Sequence, residues 1–585
     1  MLKIEEHTMD SWDGTPLFYR SWKPEERIQR AIILFHRGHE HSARWQDVIE
    51  KLDLPDIAYF AWDARGHGHS PGDRGYAKNF SCLVKDVDTF VRHISTSENI
   101  PYKNIIVLAH SVGSVLVSTW VHDFAPQIRG LVLGSPALRV RLYIPFSIPA
   151  LRFASKLRDK LFISSYVKGK LLTHDPEKQR AYDDDPLITP KIAVNILLGL
   201  YDAGTRLIHD AGAITLPTLI LTSGADFVVK QSAQRSFYNG LSNLRKEMQT
   251  FPGFFHDTFN EKDNHLPIAK ARIFIMDLFD RPVERQNLLD ADIKGYTKKE
   301  FDALSRPLSS LSFKKYLFRI NRLLMNTVGR LSQGIQVGWK TGFDSGSMLD
   351  YVYLNKAHGM TPIGRLLDRI YLDSPGWAGI RQRKVNLERL LTWAIDQLLA
   401  KDDEVRIADI ATGQGRYVLD VLKTYEDKPV SALLRDYSDV NIEAGRMAAK
   451  KMELANVTFE QGDAFDGKLE ACLPNKPNIG IVSGLYELFP ENAPIKESLK
   501  GLSRAIAPGG YLIYTNQPWH PQLEFIARVL SSHRDGEPWV MRCRTQQEMD
   551  QLVENAGFLK LTMEIDDEGI FSVSIAQRQT EHSLD

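Results

Sequence analysis

Short apolar runs that end in a turn and give way to a helical pattern recur along both halves of this chain. They constrain its fold more than any other feature. In the first half they are Ala31–Phe35, Ile57–Trp62, Ile105–Ala109, Leu131–Gly134 and Thr218–Thr222. In the second they are Val405–Ile410, Val430–Leu434, Val457–Gln461, Ile479–Ser483 and Tyr511–Thr515. A strand that is apolar on both faces must be covered on both, which is the condition of a parallel sheet wrapped by crossover helices. The pattern predicts two α/β domains. It lapses after residue 280, so we read 1–280 as one domain, 281–330 as a linker and 331–585 as a second domain. With 43% hydrophobic and 25% charged residues among 585, each can bury an ordinary core.

Basic and acidic residues balance at 73 each, which argues against nucleic acid as a partner. Cys82, Cys472 and Cys543 are too widely spaced for a metal site or a disulfide framework, so no metal is expected and a reducing cytoplasm is the simple setting. The first 22 residues hold no hydrophobic stretch, and no secretory signal is expected. No window approaches the roughly 18 apolar residues of a spanning helix, so any membrane contact would be peripheral, at the inner face. Residues Phe313 to Arg330 follow a helical period, with Phe313, Leu317, Ile320 and Leu324 on one face and Lys315, Arg319, Arg322, Asn326 and Arg330 on the other. Such a basic amphipathic helix either packs on its own domain or lies on an anionic membrane.

The loops after the strands carry the chemistry. The third run leads into Ala109-His110-Ser111-Val112-Gly113, close to the G-x-S-x-G turn that exposes a serine between strand and helix. Ala109 stands where that pattern has glycine, and Gly113 supplies the small residue that a close strand–helix approach needs. A serine nucleophile needs a base and an orienting acid, in the chain order Ser, Asp, His for this arrangement. Asp226 follows the fifth run, and His256 lies on a loop before a helix. Asp257 competes as the acid, but its adjacency to the histidine is poor geometry for a line of three, which favours Asp226.

Three further segments are specific. Asp63-Ala64-Arg65-Gly66-His67-Gly68-His69-Ser70, His36-Arg37-Gly38-His39-Glu40-His41-Ser42 and Asp184-Asp185-Pro186-Leu187 stand in order around Ser111, Asp226 and His256. Over roughly residues 8–280 the chain resembles the monoacylglycerol lipase and lysophospholipase-like serine hydrolases. The resemblance implies an α/β-hydrolase fold with a cap over about 139–207, Ser111 as nucleophile, His256 as general base and acid, and Asp226 as its partner. It implies an oxyanion hole from the backbone N–H groups of Gly38 and Val112, and a small-molecule or lipid substrate. Arg37 and His39 replace glycines of that loop. Arg37 either excludes a positive φ there or places a cation near an anionic head group.

In the second half, Val405–Ile410 runs into Ala411-Thr412-Gly413-Gln414-Gly415, a glycine turn that lets a ligand approach the backbone. The third glycine of the dinucleotide pattern is missing, its place taken by Val418, so a pyrophosphate cradle is disfavoured. Asp436 ends the next strand, where an acid binds a ribose diol. Gly462-Asp463-Ala464 and Ala507-Pro508-Gly509-Gly510 follow at the third and fifth strands. Together these resemble a class I methyltransferase, a Rossmann-like domain that uses S-adenosylmethionine (SAM). By that resemblance Asp409, Ala411, Gly413 and Gly415 line the methionine end of SAM, Asp436 holds the ribose and Asp463 the adenine. Asp463 reads equally as a turn residue. Tyr486, Glu487 and His520 are the candidates for the methyl-acceptor site. The whole predicts a bifunctional serine hydrolase and methyltransferase; the alternative is an active methyltransferase whose hydrolase half, altered at Arg37, is a scaffold or lipid-binding module.

Overall fold

The apolar runs of the first half form the middle of an eight-stranded sheet. The structure is a computed structural model that describes residues 2–25, 27–158, 160–401, 403–466, 476–533 and 536–579; Cys472 lies outside them. The strands are β1 (Lys3–Asp10), β2 (Pro16–Lys23), β3 (Ala31–Phe35), β4 (Ala58–Trp62), β5 (Ile105–His110), β6 (Gly130–Gly134), β7 (Thr218–Ser223) and β8 (Lys246–Phe251). Their spatial order is β1-β2-β4-β3-β5-β6-β7-β8, parallel from β4 to β8, with β1 and β2 antiparallel at one edge. The edge strands β1 and β8 are mostly half-buried or exposed and carry alternating polar residues, so no continuous apolar run marks them. Residues β3 to β6 are buried throughout and pack with Trp45, Ile275 and Leu278 from flanking segments. Between β6 and β7 the chain leaves the sheet to form a cap. It comprises helices Ser147–Leu157, Pro176–Asp183 and Val194–His209 and a short ribbon of Phe162–Ser164 with Lys191–Ala193.

The second sheet has seven strands: β9 (Val405–Asp409), β10 (Val430–Asp436), β11 (Val457–Gln461), β12 (Ile479–Val482), β13 (Tyr511–Asn516), β14 (Phe558–Ile565) and β15 (Ser572–Arg578). Their order is β11-β10-β9-β12-β13-β15-β14, parallel except for β15 and β14. The parallel order reverses between β9 and β12, and the crevice outside the strand ends at such a reversal is where ligands bind. This is a Rossmann-like sheet, and the first is an α/β-hydrolase sheet.

The chain divides into two compact units, Met1–Gln286 and Asn287–Asp585. The stretch read from the sequence as a linker over 281–330 is helical from Ala291 and groups with the second unit from Asn287 onward. Leu304, within it, is buried among Phe343, Ile526 and Leu530. Helices succeed one another there without a strand, so the strand–helix alternation that marks the sheets breaks off although the packing does not. The amphipathic helix runs Phe313–Asn326, four residues short of Arg330 where the periodic pattern ends, and a 3-10 turn, Val328–Leu331, follows. Among the described residues no helix is long and apolar enough to cross a membrane, and no group of His, Cys, Asp and Glu is placed to hold a metal ion.

Candidate active sites

Ser111 is the link between β5 and the helix Val112–Phe124, and its backbone stands at φ 53°, ψ −111°. A non-glycine residue in that region is strained, and the strain holds the side chain at the tip of the turn. Gly113 is required by close approach: a Cβ there would lie 2.5 Å from the carbonyl oxygen of His36 and 2.7 Å from that of Phe35. Ala109, in the glycine position of the pattern, lies within β5 and is buried. Ser111 Oγ lies 2.7 Å from His256 Nε2, and His256 Nδ1 lies 2.8 Å from Asp226 Oδ2. Asp226 Oδ1 accepts the backbone N–H groups of Val228 and Val229 at 2.7 and 2.9 Å. Burial alone would raise the Asp226 carboxyl, but His256 and the two N–H donors outweigh it and hold it below its ordinary value. The three side chains thus form one hydrogen-bonded line. Asp257, the competing acid, takes no part in it and turns to Arg37 and His110 instead.

Arg37 does not stand over the serine. It is buried with Nη2 at 3.0 Å from Glu40 Oε1 and Nε at 3.5 Å from Asp257 Oδ2, and its guanidinium covers the Tyr182 ring at 4.5 Å. Glu40 also takes Arg44 Nε at 2.6 Å. Burial disfavours the cation, yet Glu40 and Asp257 hold the Arg37 guanidinium above its ordinary value. Neither sequence-based expectation for Arg37 fits this placement. The positive φ of the loop falls on His39, at 71°, and the cation is paired inside the protein. Gly38 faces the first turn of the nucleophile helix, since a Cβ on it would lie 3.2 Å from Val112 Cγ2. Gly38 and Val112 are therefore neighbours beside Ser111, as an oxyanion hole requires.

The two other marked segments serve as supports. Asp63 is buried, accepts the N–H of Ser42 at 2.6 Å and that of His69 at 2.8 Å, and so ties the Gly38 loop to the end of β4. Arg65 binds Asp86 and Asp13, each at 2.7 Å. Asp185 of the cap meets His41 Nε2 at 2.9 Å and fastens the cap to the same loop.

In the second unit the glycine turn and both acids meet at the ends of β9 and β10. Gly413 has φ 58°, a Cβ there would meet nothing within 4 Å, and its N–H donates to Asp436 Oδ2 at 2.8 Å. Asp436 Oδ1 accepts from Ser438 N and Asn441 Nδ2, both at 3.0 Å. Gly415 caps the helix Arg416–Lys423. Asp409 is buried and bonded to the Tyr417 hydroxyl and to the N–H of Ala411 at 3.3 Å. Burial pushes its carboxyl up to about 7 against those bonds. An open backbone face beside a half-buried carboxylate offers what the amino-acid end and ribose diol of SAM require, so these residues fit it. Asp463 is exposed and bonds the N–H of Phe465 at 2.9 Å, closing its own turn.

Beyond the ends of β12 and β13 lies a mainly apolar cavity of about 320 Å³, walled by Trp377, Trp539, Phe525 and Phe571 among others. Of the three acceptor candidates, Glu487 and His520 line it. Tyr486 does not; it is buried in a separate cluster, and its hydroxyl donates to Ser498 Oγ at 2.9 Å. Both residues lie in a 3-10 turn, Tyr486–Leu488, whose side chains fan apart, so their order in the sequence does not say which one meets the cavity. Glu487 Oε1 accepts from Thr515 at 2.7 Å and lies 3.6 Å from Arg383 Nη1, while Oε2 is buried without a hydrogen-bond partner. His520 Nδ1 accepts the N–H of Gln522 at 3.0 Å, and burial lowers the ring to about 4. It is thus neutral with its proton on Nε2, a donor rather than a base. Arg383 and Gln517 also line the cavity and were missed from sequence. Arg383 sits in a long helix, Pro375–Leu399, with no turn or motif to mark it.

Comparison with known proteins agrees with this division. A family model described as "Serine aminopeptidase, S33" matches residues 26–263, and one described as "Putative methyltransferase" matches residues 271–578. The chain is 50% identical over 576 residues, 98% of each chain, to "Uncharacterized protein YnbC" of Escherichia coli (strain K12). It is 26% identical over 273 residues to "Monoacylglycerol lipase" of Mycolicibacterium smegmatis, covering 46% of this chain and 96% of that one. A solved structure of monoglyceride lipase from Saccharomyces cerevisiae with a substrate analogue overlies 47% of this chain and 96% of that one, at 18% identity and a TM-score of 0.42. The fold and the two family models define an α/β-hydrolase domain and a methyltransferase domain in one chain. The methyltransferase model spans more than half of the residues, and the chain belongs to that family.

Proposed function

We propose that this chain is a bifunctional enzyme: a serine hydrolase for acyl esters of lipid type, and a SAM-dependent methyltransferase acting on an apolar acceptor. The observation that carries the first half is the Ser111–His256–Asp226 line behind a strained elbow. Ser111 Oγ attacks the ester carbonyl and its proton passes to His256 Nε2, while Asp226 steadies the imidazolium from Nδ1. The N–H groups of Gly38 and Val112 take the charge that develops on the carbonyl oxygen, each donor contributing about 3 kcal/mol. His256 then gives its proton to the departing alcohol, and water releases the acyl group by the same steps in reverse. The pairing of Arg37 with Glu40 and Asp257, away from the elbow, supports the active reading of this half over the scaffold reading.

In the second half, SAM when bound supplies an electrophilic methyl group. Asp409, Ala411, Gly413 and Gly415 would hold its amino-acid end, Asp436 its ribose and Asp463 its adenine. The chain's own contribution is to bury the acceptor in the cavity, exclude water and align it. Glu487 Oε2, unpartnered at the cavity wall, is the atom to accept the acceptor's O–H or N–H.

The test is fluorophosphonate labelling of the wild type and Ser111→Ala, with thermal shift in SAM for the wild type and Asp436→Ala. Labelling lost in the first variant and a SAM shift lost in the second support both activities. A folded, SAM-stabilised wild type that takes no label would sink the hydrolase half.

A further inference from the structure

The helix Phe313–Asn326 turns its apolar face away from the protein. Phe318 and Met325 pack inward against the core that holds Phe343 and Ile526. Phe313, Ile320 and Leu323 point outward and are 81%, 55% and 62% exposed, with Leu317 and Leu324 beside them. A surface helix of a globular protein does the reverse. The helix Pro362–Leu372 repeats the arrangement: Gly364, Asp368 and Leu372 are buried, while Ile363, Leu366 and Ile370 are exposed. The first helix carries four basic residues and no acidic one: Arg319 is exposed beside the apolar stripe, Arg322 is exposed with its guanidinium 5.8 Å from the Trp339 ring, and Lys314 pairs with Glu524. The second adds the exposed Arg365. This face is continuous with the cavity beyond β12 and β13, because Ile370 is both exposed and part of the cavity wall, and Met325 and Leu367 line the same wall.

We infer that the second unit docks on an anionic membrane surface through these two helix faces, and that its methyl acceptor enters the cavity from the lipid phase. Aliphatic side chains beside arginines, with no acidic residue on the first helix, suit the boundary between acyl chains and anionic head groups. An apolar cavity whose wall joins that face lets an apolar acceptor move inward without crossing water. The second clause rests on the methyltransferase reading; the docking does not.

The cap of the first unit also exposes Phe146 and Phe153, so the experiment separates the two surfaces. The full chain is co-sedimented with vesicles of phosphatidylcholine alone and of phosphatidylcholine with phosphatidylglycerol. The wild type and the cap variant Phe146→Ser/Phe153→Ser pellet with the anionic vesicles. Ile320→Glu/Leu324→Glu weakens that binding at least about tenfold, and Arg319→Gln/Arg322→Gln abolishes the preference for anionic lipid. The thermal shift in SAM, retained by these variants, shows that they are folded. Equal pelleting of Ile320→Glu/Leu324→Glu and wild type overturns the proposal, as does a wild type left in the supernatant with both vesicles. A wild-type dimer that Ile320→Glu/Leu324→Glu dissolves, without vesicle binding, would make a second copy the occupant and equally overturn it. A wild type that pellets but shows no shift in SAM removes the methyltransferase reading and leaves the docking in place.

Discussion

In the proposed hydrolase Asp226 fixes the tautomer of His256 that leaves Nε2 free to take the Ser111 proton. Asp226→Asn preserves the shape of the side chain but presents an amide to Nδ1, so the ring is turned toward the wrong tautomer. Turnover of a short-chain ester is expected to fall by about 10³–10⁴ with little change in KM, and a steady-state assay checks it. Arg37 makes the opposite prediction. Its guanidinium touches Glu40, Asp257 and the Tyr182 ring, all away from Ser111. Arg37→Ala takes the buried cation from Asp257, leaves Glu40 with Arg44 alone, and should cost about 3 kcal/mol of stability. Denaturant unfolding would show this, and the fluorophosphonate labelling rate of the folded fraction should stay near wild type. A stable variant that no longer labels would return Arg37 to the oxyanion hole. Both residues were visible in the sequence, but only the grouping of Ser111, Asp226 and His256 was legible there. A loop motif shows that a glycine is missing; it cannot show that His39, not Arg37, carries the positive φ. Nor could it show that Asp257 is drawn away by a cation.

The elements that read clearly were the buried strands, because a continuous apolar run has few other uses. The strands that escaped, β1, β2, β8, β14 and β15, are edge or antiparallel strands whose polar residues dilute the signal. Helix–helix joints were equally silent, and one of them makes a measurable prediction. His122 lies fully buried at the end of the nucleophile helix, with Nδ1 at 2.7 Å from Asp123 and Nε2 at 2.6 Å from Asp210, which follows the cap helix Val194–His209. Arg206 of that helix binds the other oxygen of Asp123 at 2.8 Å. Burial would lower the imidazole, but the two carboxylates prevail and raise it from 6.5 to about 8. A group raised on folding stabilises fully below its unfolded value and loses that effect as pH rises through the folded one. The joint should therefore weaken by about 2 kcal/mol between pH 6.5 and pH 8 and beyond. Unfolding of the first unit followed across that range should show the slope, and His122→Gln should flatten it. An unchanged slope in the variant would place the titration elsewhere.

At the scale of the whole molecule, each sheet carries its own core. Residues such as Ile106, Val132 and Leu219 pack within the first unit, and Ile407, Leu434 and Ile513 within the second. A core that closes on residues of one unit makes that unit a candidate for cooperative unfolding by itself. Ligands then report on the two halves separately, because a ligand stabilises only the unit whose folded form binds it. SAM at one hundred times its Kd should stabilise the second unit by about 2.7 kcal/mol. A fluorophosphonate adduct on Ser111 should instead move the transition of the first. Calorimetry of the full chain is expected to resolve two transitions, one shifted by SAM and the other by the adduct. A single transition shifted by both would mean that the halves unfold as one body, and that each site is thermodynamically linked to the other.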